Sequence, residues 1–158
     1  KYPRVFRSMV LADTTSRRPP NADQMWGERI RAAEEKGMDA LVESTLARWF
    51  TEPYRRAHPE VMAKIGADIR ATPVAGFAGC CHAISKIDVL DRLGEIRCPA
   101  LVIVGDQDHG TPPEMARQIH AKLPGSELLI IESAAHLSNI EQPEVFSRAL
   151  LGFLERVA

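Results

Sequence analysis

The sequence has few cysteines and few aromatic side chains, and it contains no long apolar run. Its 158 residues include three cysteines, an odd number that does not build a disulfide framework. No apolar run approaches the roughly 18 residues that would span a bilayer. The sequence also does not open with the basic and then apolar segments of a signal peptide. These features predict a cytoplasmic protein that does not cross a membrane.

An excess of charge of one sign is also missing. Twenty Lys and Arg residues face 21 Asp and Glu residues, and the formal net charge is −1. A field that would attract nucleic acid or anionic lipid is therefore not expected. The histidines show no spacing typical of metal ligands. We expect no nucleic-acid partner, no metal and no cofactor in a domain whose apolar content is an ordinary 45%.

The periodicity of apolar residues divides the chain into three predicted segments. Residues 1–20 hold a continuous apolar run, Val5 to Ala12, which predicts a strand buried on both faces, followed by a loop. Residues 21–86 have helical periodicity and form a predicted helical lid, which two prolines interrupt between Thr51 and Pro59. Residues 87–158 alternate between strand and helix.

The last segment predicts the fold class. Its strands are expected at 101–104 and 127–131, and its helices at 112–123 and 143–157. This alternation predicts an α/β fold with a parallel sheet of about three strands. A sheet this small keeps an unpaired edge, and the apolar run follows Lys1 almost at once. We therefore interpret the start as an internal boundary, with a processed mature N-terminus as the alternative.

Acid and base candidates follow two neighbouring strands of this predicted sheet. Asp106 and Asp108 come after the strand at 101–104, and His136 comes after the strand at 127–131. Reactive side chains of parallel sheets lie beyond the carboxyl ends of the strands. A carboxylate there can orient an imidazole that moves protons. Asp108 and His136 are the predicted catalytic pair, with Asp106 as the rival acid.

Two motifs resemble the alpha/beta hydrolase family. Gly105-x-x-Asp108-x-x-x-Pro112 is similar to its acid loop, and residues 135–144 (AHLSNIEQPE) are similar to its histidine loop. The resemblance narrows to 3-oxoadipate enol-lactonases through four further stretches: LADT at 11–14, MWGERI at 25–30, RWFT at 48–51 and GCC at 79–81. It implies the C-terminal half of a serine-type lactone or ester hydrolase of aromatic-compound catabolism, the β-ketoadipate pathway. It also implies that Asp108 orients His136.

The sequence departs from this family in one large respect. No Gly-x-Ser-x-Gly nucleophile motif is present, and Ser133 and Ser138 have no such glycine pattern. We expect the nucleophile and its oxyanion donors in an N-terminal half of the same fold, either cut from the same polypeptide or supplied as a separate chain. Without that partner the chain is expected to be inactive. Other esterases, cofactor-free haloperoxidases and a non-catalytic fragment stay open as alternatives.

Substrate-binding candidates come from the first two segments of the chain. Trp26 and Trp49 lie on helical patterns, where core packing is the ordinary role, and either could form a wall of a small pocket under a lid. A substrate that bears a carboxylate needs a cation, for which Arg17 and Arg18 are candidates.

Overall fold

Three parallel strands form the sheet. The structure is a computed structural model and describes residues 5–158. The strands are β1 (Met9–Ala12), β2 (Ala100–Gly105) and β3 (Glu127–Ile131), in the order β1-β2-β3. This arrangement confirms the predicted α/β class with a partial parallel sheet. The first four residues of the predicted strand-and-loop segment lie outside the described residues.

The segment between β1 and β2 is helical. Its α-helices are α1 (Ala22–Lys36), α2 (Val42–Trp49), α3 (Glu52–Ala57), α4 (Pro59–Ala71) and α5 (Val74–Ile84), and a 3-10 helix spans Met38–Leu41. Packing makes residues 17–88 one compact unit, the helical unit, and the rest of the described chain a second, the sheet unit. No helix of the described residues is long and apolar enough to cross a bilayer.

The segment between Thr51 and Pro59, where two prolines interrupt the predicted helical pattern, contains a short helix that was not predicted. Helix α3 forms there, and the Thr51 hydroxyl accepts a hydrogen bond from the Tyr54 N–H at its start (3.3 Å). Pro53 and Pro59 each lie in the first turn of a helix. Proline is tolerated at that position because the first-turn N–H groups have no partner within the helix.

The C-terminal portion of the sheet unit follows the predicted alternation. A 3-10 helix (Leu90–Glu95) precedes β2, α6 (Pro113–Lys122) connects β2 with β3, and α8 (Pro143–Val157) closes the chain. A four-residue helix, α7 (Ser138–Glu141), was not predicted, because four residues carry too little periodicity to be recognised.

The central strand β2 is buried over its whole length, and it contributes side chains to two apolar clusters. Val102 and Val104 pack with Ile119 of α6 on one face. Leu101 and Ile103 pack on the other face, where the cluster also contains Phe153 of α8. Because alternate residues of a strand point to opposite faces, six consecutive apolar residues give each face its own core.

Strand β1 is shorter than predicted. The apolar run from Val5 predicts a buried strand, but pairing begins at Met9, and the Val5 side chain is 71% exposed. The Met9 N–H donates to the Pro99 carbonyl (3.0 Å). The next hydrogen bond of the ladder toward the N-terminus would run from the N–H of residue 99 to the carbonyl oxygen of Arg7. Residue 99 is a proline, which has no N–H. The ladder therefore ends at Met9.

The end of β2 lies unusually close to the loop after β3. A Cβ atom added to Gly105 would lie 2.3 Å from the carbonyl oxygens of both Ala134 and Ala135. The Gln107 N–H donates to the Ala134 carbonyl (2.9 Å), and the Asp106 N–H donates to the Ile131 carbonyl (2.9 Å). Only glycine therefore allows these two backbones to approach to hydrogen-bonding distance.

We predict that Gly105→Ala lowers the free energy of unfolding by about 3 kcal/mol or abolishes folding, because the new methyl group must displace backbone and not a flexible side chain. Gly152→Ala in α8 is the matched control, since its Cβ would meet only the tip of Arg156 at 3.4 Å. The control should keep or slightly raise stability, by up to about 1 kcal/mol. Urea unfolding of both variants measures the difference, and equal stabilities would contradict the close-approach argument.

Candidate active site

The structure brings the predicted acid and base together. The loop after β2 carries Asp108 and the loop after β3 carries His136, and these strands are neighbours in the sheet. Asp108 Oδ2 lies 2.8 Å from His136 Nδ1. The Asp108 side chain is fully buried, whereas the His136 side chain is 28% exposed. A buried carboxylate thus fixes one ring nitrogen of a partly accessible imidazole, an arrangement that suits general acid–base chemistry.

Other donors hold the Asp108 carboxylate in place. Oδ1 accepts hydrogen bonds from the backbone N–H groups of Gly110 (2.8 Å) and Thr111 (2.9 Å). Oδ2 also accepts from the Thr111 hydroxyl (2.6 Å), which lies 3.3 Å from His136 Nδ1. Thr111 was not among the predicted residues. Its position three residues after an aspartate is typical of a side-chain-capped turn, and that signal could have found it.

These donors decide the ionisation of Asp108. Burial by itself would raise the pKa of its carboxyl group. The hydrogen bonds from His136 and Thr111, together with the charge of a protonated His136, outweigh burial and hold that pKa below its usual value. Asp108 is therefore an anion near neutral pH and can stabilise an imidazolium.

The rival acid has a different role. Asp106 Oδ1 accepts a hydrogen bond from the Ala134 N–H (3.3 Å), so this exposed residue connects the two loops, while Asp108 bonds to the imidazole. His109 is also exposed. The Ser138 hydroxyl is buried and donates to Asp13 Oδ2 (2.6 Å). Ser133 lies in an exposed turn with a φ of 56°.

Two buried acidic residues beside the pair were missed by sequence reasoning. Asp13, directly after β1, accepts hydrogen bonds from the Gly105 N–H (2.9 Å) and from Ser138. Glu141 of α7 accepts from the Ala135 N–H next to His136. Burial raises the pKa of the Asp13 carboxyl group, and the charge of Asp108 raises it further, although the bonds from Ser138 and Gly105 act in the opposite direction.

The substrate-binding candidates all lie in the helical unit. Arg17 forms an ion pair with Asp88 (2.8 Å), so its charge is already compensated. Arg18 pairs with Asp23 (2.8 Å). The Trp26 ring lies 6.0 Å from the Arg48 guanidinium, and Trp49 is half-buried in α2.

Arg29 of α1 is a cation without a carboxylate partner among the described residues. Its Nη2 donates to the Thr45 hydroxyl (2.8 Å), and its buried Nε has no hydrogen-bond partner. Burial lowers the pKa of the Arg29 guanidinium, and the nearby charge of Arg48 lowers it further. Sequence reasoning selected Arg17 instead, because neither the Arg17–Asp88 pair nor the burial of Arg29 is visible in the sequence.

The described residues contain no group of three His, Cys, Asp or Glu side chains arranged to hold a metal ion. Their three cysteines are free thiols, and burial raises the pKa of the Cys81 thiol. A raised pKa suits a small core residue and not a reactive thiolate.

Comparison with known families decides the assignment. The profile of the alpha/beta hydrolase fold family matches residues 1–143. The chain belongs to the alpha/beta hydrolase family. The placement of an acid after one strand of this alpha/beta hydrolase and a histidine after the next agrees with the order of the family's motifs.

Individual relatives of this alpha/beta hydrolase include lactonases and an esterase. It is 30% identical to 3-oxoadipate enol-lactonase 2 of Acinetobacter baylyi, over 98% of this chain and 57% of the relative. The crystal structure of the enol-lactonase from Burkholderia xenovorans LB400 is 32% identical, with a TM-score of 0.89 over 94% of this chain and 56% of that one. A thermophilic esterase from Thermogutta terrifontis is 31% identical, with a TM-score of 0.91 over 99% and 58%. The chain thus spans about half the length of the relatives it matches.

We predict that Asp108→Asn changes the pH dependence of stability. A carboxyl group whose pKa is lower in the folded state stabilises the fold above the pKa of the unfolded state, about 3.9. That stabilisation is lost as the pH falls from there through the folded pKa. The difference in unfolding free energy between the native chain and Asp108→Asn should therefore shrink below about pH 4. Urea unfolding at a series of pH values measures it, and a constant difference would contradict the assigned pKa direction.

Proposed function

We propose that this chain supplies the acid and the base of a serine-type hydrolase of carboxylic esters or lactones, with a 3-oxoadipate enol-lactone as the preferred substrate. The observation that carries the proposal is the 2.8 Å contact between His136 Nδ1 and the buried Asp108 Oδ2. Similarity to the enol-lactonases supports the choice of lactone and a role in aromatic-compound catabolism. A cytoplasmic location also belongs to the proposal.

The proposed reaction uses His136 to transfer protons. Nε2 of His136 accepts the proton of a serine hydroxyl while the serine oxygen bonds to the lactone carbonyl carbon. His136 then returns this proton to the ring oxygen as the carbonyl carbon–oxygen bond breaks, which leaves an acyl-enzyme. Water attacks the acyl carbon and loses a proton to His136. His136 then gives this proton to the serine oxygen as the acyl–serine bond breaks, which releases the acid and regenerates the serine hydroxyl. Asp108 stays ionised and stabilises the imidazolium in both steps.

The nucleophile is proposed to come from a complementary portion of the same fold. The 158 residues contain no Gly-x-Ser-x-Gly motif, and β1 pairs only with β2 within the described sheet. Strands added alongside β1 would place a serine near the same carboxyl edge. This portion is either the remainder of one polypeptide or a separate chain.

The substrate's carboxylate is proposed to bind a cation of the helical unit. Arg29 is a better candidate than Arg17, since Arg17 already pairs with Asp88 and Arg29 has no carboxylate among the described residues. Burying an uncompensated charge is costly, and an anionic ligand would offset that cost. Trp26 and Trp49 are proposed as apolar walls of the same binding region.

A carboxylesterase without a lactone preference is the second candidate, because the esterase from Thermogutta terrifontis is as similar as the lactonases. A cofactor-free haloperoxidase on the same scaffold and a fragment that only assembles are the further alternatives. Substrate comparison separates these possibilities.

We predict that the assembly of this chain with its nucleophile-bearing portion hydrolyses the enol-lactone with a higher kcat/KM than simple aryl esters, and does not oxidise halide with peroxide. His136→Ala should lower kcat by about 10⁴-fold or more. His120→Ala is the matched control, because His120 bonds to Ser126 at the opposite end of β3 (2.8 Å).

Three results would overturn elements of this assignment. A higher kcat/KM for aryl esters would select the esterase candidate. Turnover by the 158-residue chain alone, abolished by His136→Ala, would place a nucleophile within these residues. An assembly inactive on every substrate would favour the non-catalytic alternative.

We predict that Arg29→Met raises KM for the lactone by about 10-fold to 100-fold, the loss expected for one charge-assisted hydrogen bond. A neutral aryl ester should show little change, because it has no carboxylate to bind. Arg17→Met is the control, and its KM should stay within about twofold because Arg17 is an exposed, paired charge. A larger effect at Arg17 than at Arg29 would return the carboxylate site to Arg17.

A further inference from the structure

A second buried carboxylate connects the two loops that carry the acid–base pair, and the proposed reaction does not use it. Asp13 Oδ1 accepts from the backbone N–H of Gly105, three residues before Asp108 (2.9 Å). Its Oδ2 accepts from the hydroxyl of Ser138, two residues after His136 (2.6 Å). One side chain after β1 is therefore bonded at the base of both loops.

The burial and the backbone conformation of Asp13 both cost free energy of folding. Asp13 is 9% exposed, and its backbone has a φ of 45°, a region that residues other than glycine rarely adopt. Burial and the negative charge of Asp108 both raise the pKa of its carboxyl group. Ser138, its partner, is fully buried at the start of α7. Strained and desolvated groups of this kind persist only where contacts with the surrounding structure hold them in place.

We propose that Asp13 is a positioning residue that sets the distance between Asp108 and His136 through its two hydrogen bonds. The bond to Gly105 fixes the start of the acid loop against β1. The bond to Ser138 fixes the residue at which the histidine loop enters α7. Direct bonds already join the two loops at Ala134. Because both Asp13 bonds end on one rigid carboxylate, they additionally fix the start of the acid loop relative to the start of α7, and so the alignment of the imidazole. The catalytic consequence rests on the proposed function, whereas the geometric consequence does not.

The position of these bonds distinguishes them from a purely structural cross-link. A structural cross-link could join strands anywhere along the sheet, but both Asp13 bonds lie at the carboxyl edge. The histidine loop is also held from its other side, where the Glu141 carboxylate accepts the Ala135 N–H. His136 thus lies between two anchored residues, Ala135 and Ser138. Removing the Asp13 anchor should therefore loosen His136 without unfolding the sheet core.

The first test uses the 158-residue chain and needs no activity. The His136 Nδ1 proton bonded to Asp108 should give a far-downfield proton NMR resonance. Asp13→Ala and Ser138→Ala should each increase its exchange with water by about 10-fold to 100-fold, as expected for losing a hydrogen bond to a charged group. Asp13→Asn should stay within about threefold, because an amide can accept from Gly105 and donate to Ser138.

The same resonance is the measurement for the controls and for the outcomes that would contradict the proposal. Ser126→Ala removes a serine hydrogen bond at the other end of β3 and should leave the resonance unchanged. If Asp13→Ala does not fold, Ser138→Ala, which removes one bond and no charge, decides the question. An unchanged resonance in Ser138→Ala would overturn the proposal. A loss in Asp13→Asn equal to that in Asp13→Ala would assign the effect to charge and also overturn it.

The second test measures the same variants in the hydrolase assembled with its nucleophile-bearing portion. Asp13→Ala and Ser138→Ala should lower kcat by about 10-fold to 100-fold with KM within about threefold, and Asp13→Asn should restore most of kcat. Variants that change the resonance in an assembly without hydrolytic activity would refute the proposed function and leave the positioning role standing. An active assembly with an unresponsive resonance and kcat would refute the positioning role alone.

Discussion

At Gly105 the backbone after β2 lies against two carbonyl oxygens of the loop after β3, with room for a hydrogen atom and not for a methyl group. The contact between Asp108 and His136 depends on this approach. These residues lie three positions after Gly105 and one position after Ala135, and any separation of the two backbones would be transmitted to their side chains. The Gln107–Ala134 backbone bond holds the approach, and the Asp106 side chain reinforces it. A small glycine and a few hydrogen bonds thus hold the backbones of the two loops together.

At this edge of the sheet the pKa values of two similarly buried carboxyl groups shift in opposite directions. The pKa of Asp108 is lowered and that of Asp13 is raised, although burial acts in the same direction on both. The difference lies in their hydrogen-bond donors and in the charge of Asp108, which raises the pKa of Asp13. Asp108 receives two backbone N–H groups, a threonine hydroxyl and the imidazole of His136, whereas Asp13 receives one N–H and one hydroxyl. The surroundings of each carboxyl group, and not burial alone, therefore decide the direction in which its pKa moves.

In the helical unit, ion pairing separates arginines whose charge is compensated from one whose charge is not. Arg17 and Asp88 are 71 positions apart in the sequence and form an ion pair, which removes Arg17 from the set of uncompensated cations. Arg29 is the opposite case. In the sequence it is one charge on an amphipathic helix, and in the structure it is a half-buried arginine that donates to Thr45 and has a buried, unpartnered Nε. Neither fact follows from composition, because a count of charged residues does not show which side chains lie next to one another in the fold.

The sequence by itself determined the class of fold and the chemistry of the loops. Both were predicted from local patterns: the apolar runs at β2 and β3, the helical periodicity after each run, and an aspartate and a histidine beyond the strand ends. Such patterns are visible in the sequence because each lies within a short stretch of chain. The tertiary structure decided the rest. Where β1 begins depends on the missing N–H of Pro99, which lies about 90 residues away along the chain. The choice of Asp108 over Asp106, the bonds from Asp13 to Gly105 and Ser138, and the burial of Arg29 all depend on which distant backbones come together. Such contacts are fixed by packing in three dimensions, and no single stretch of sequence records them.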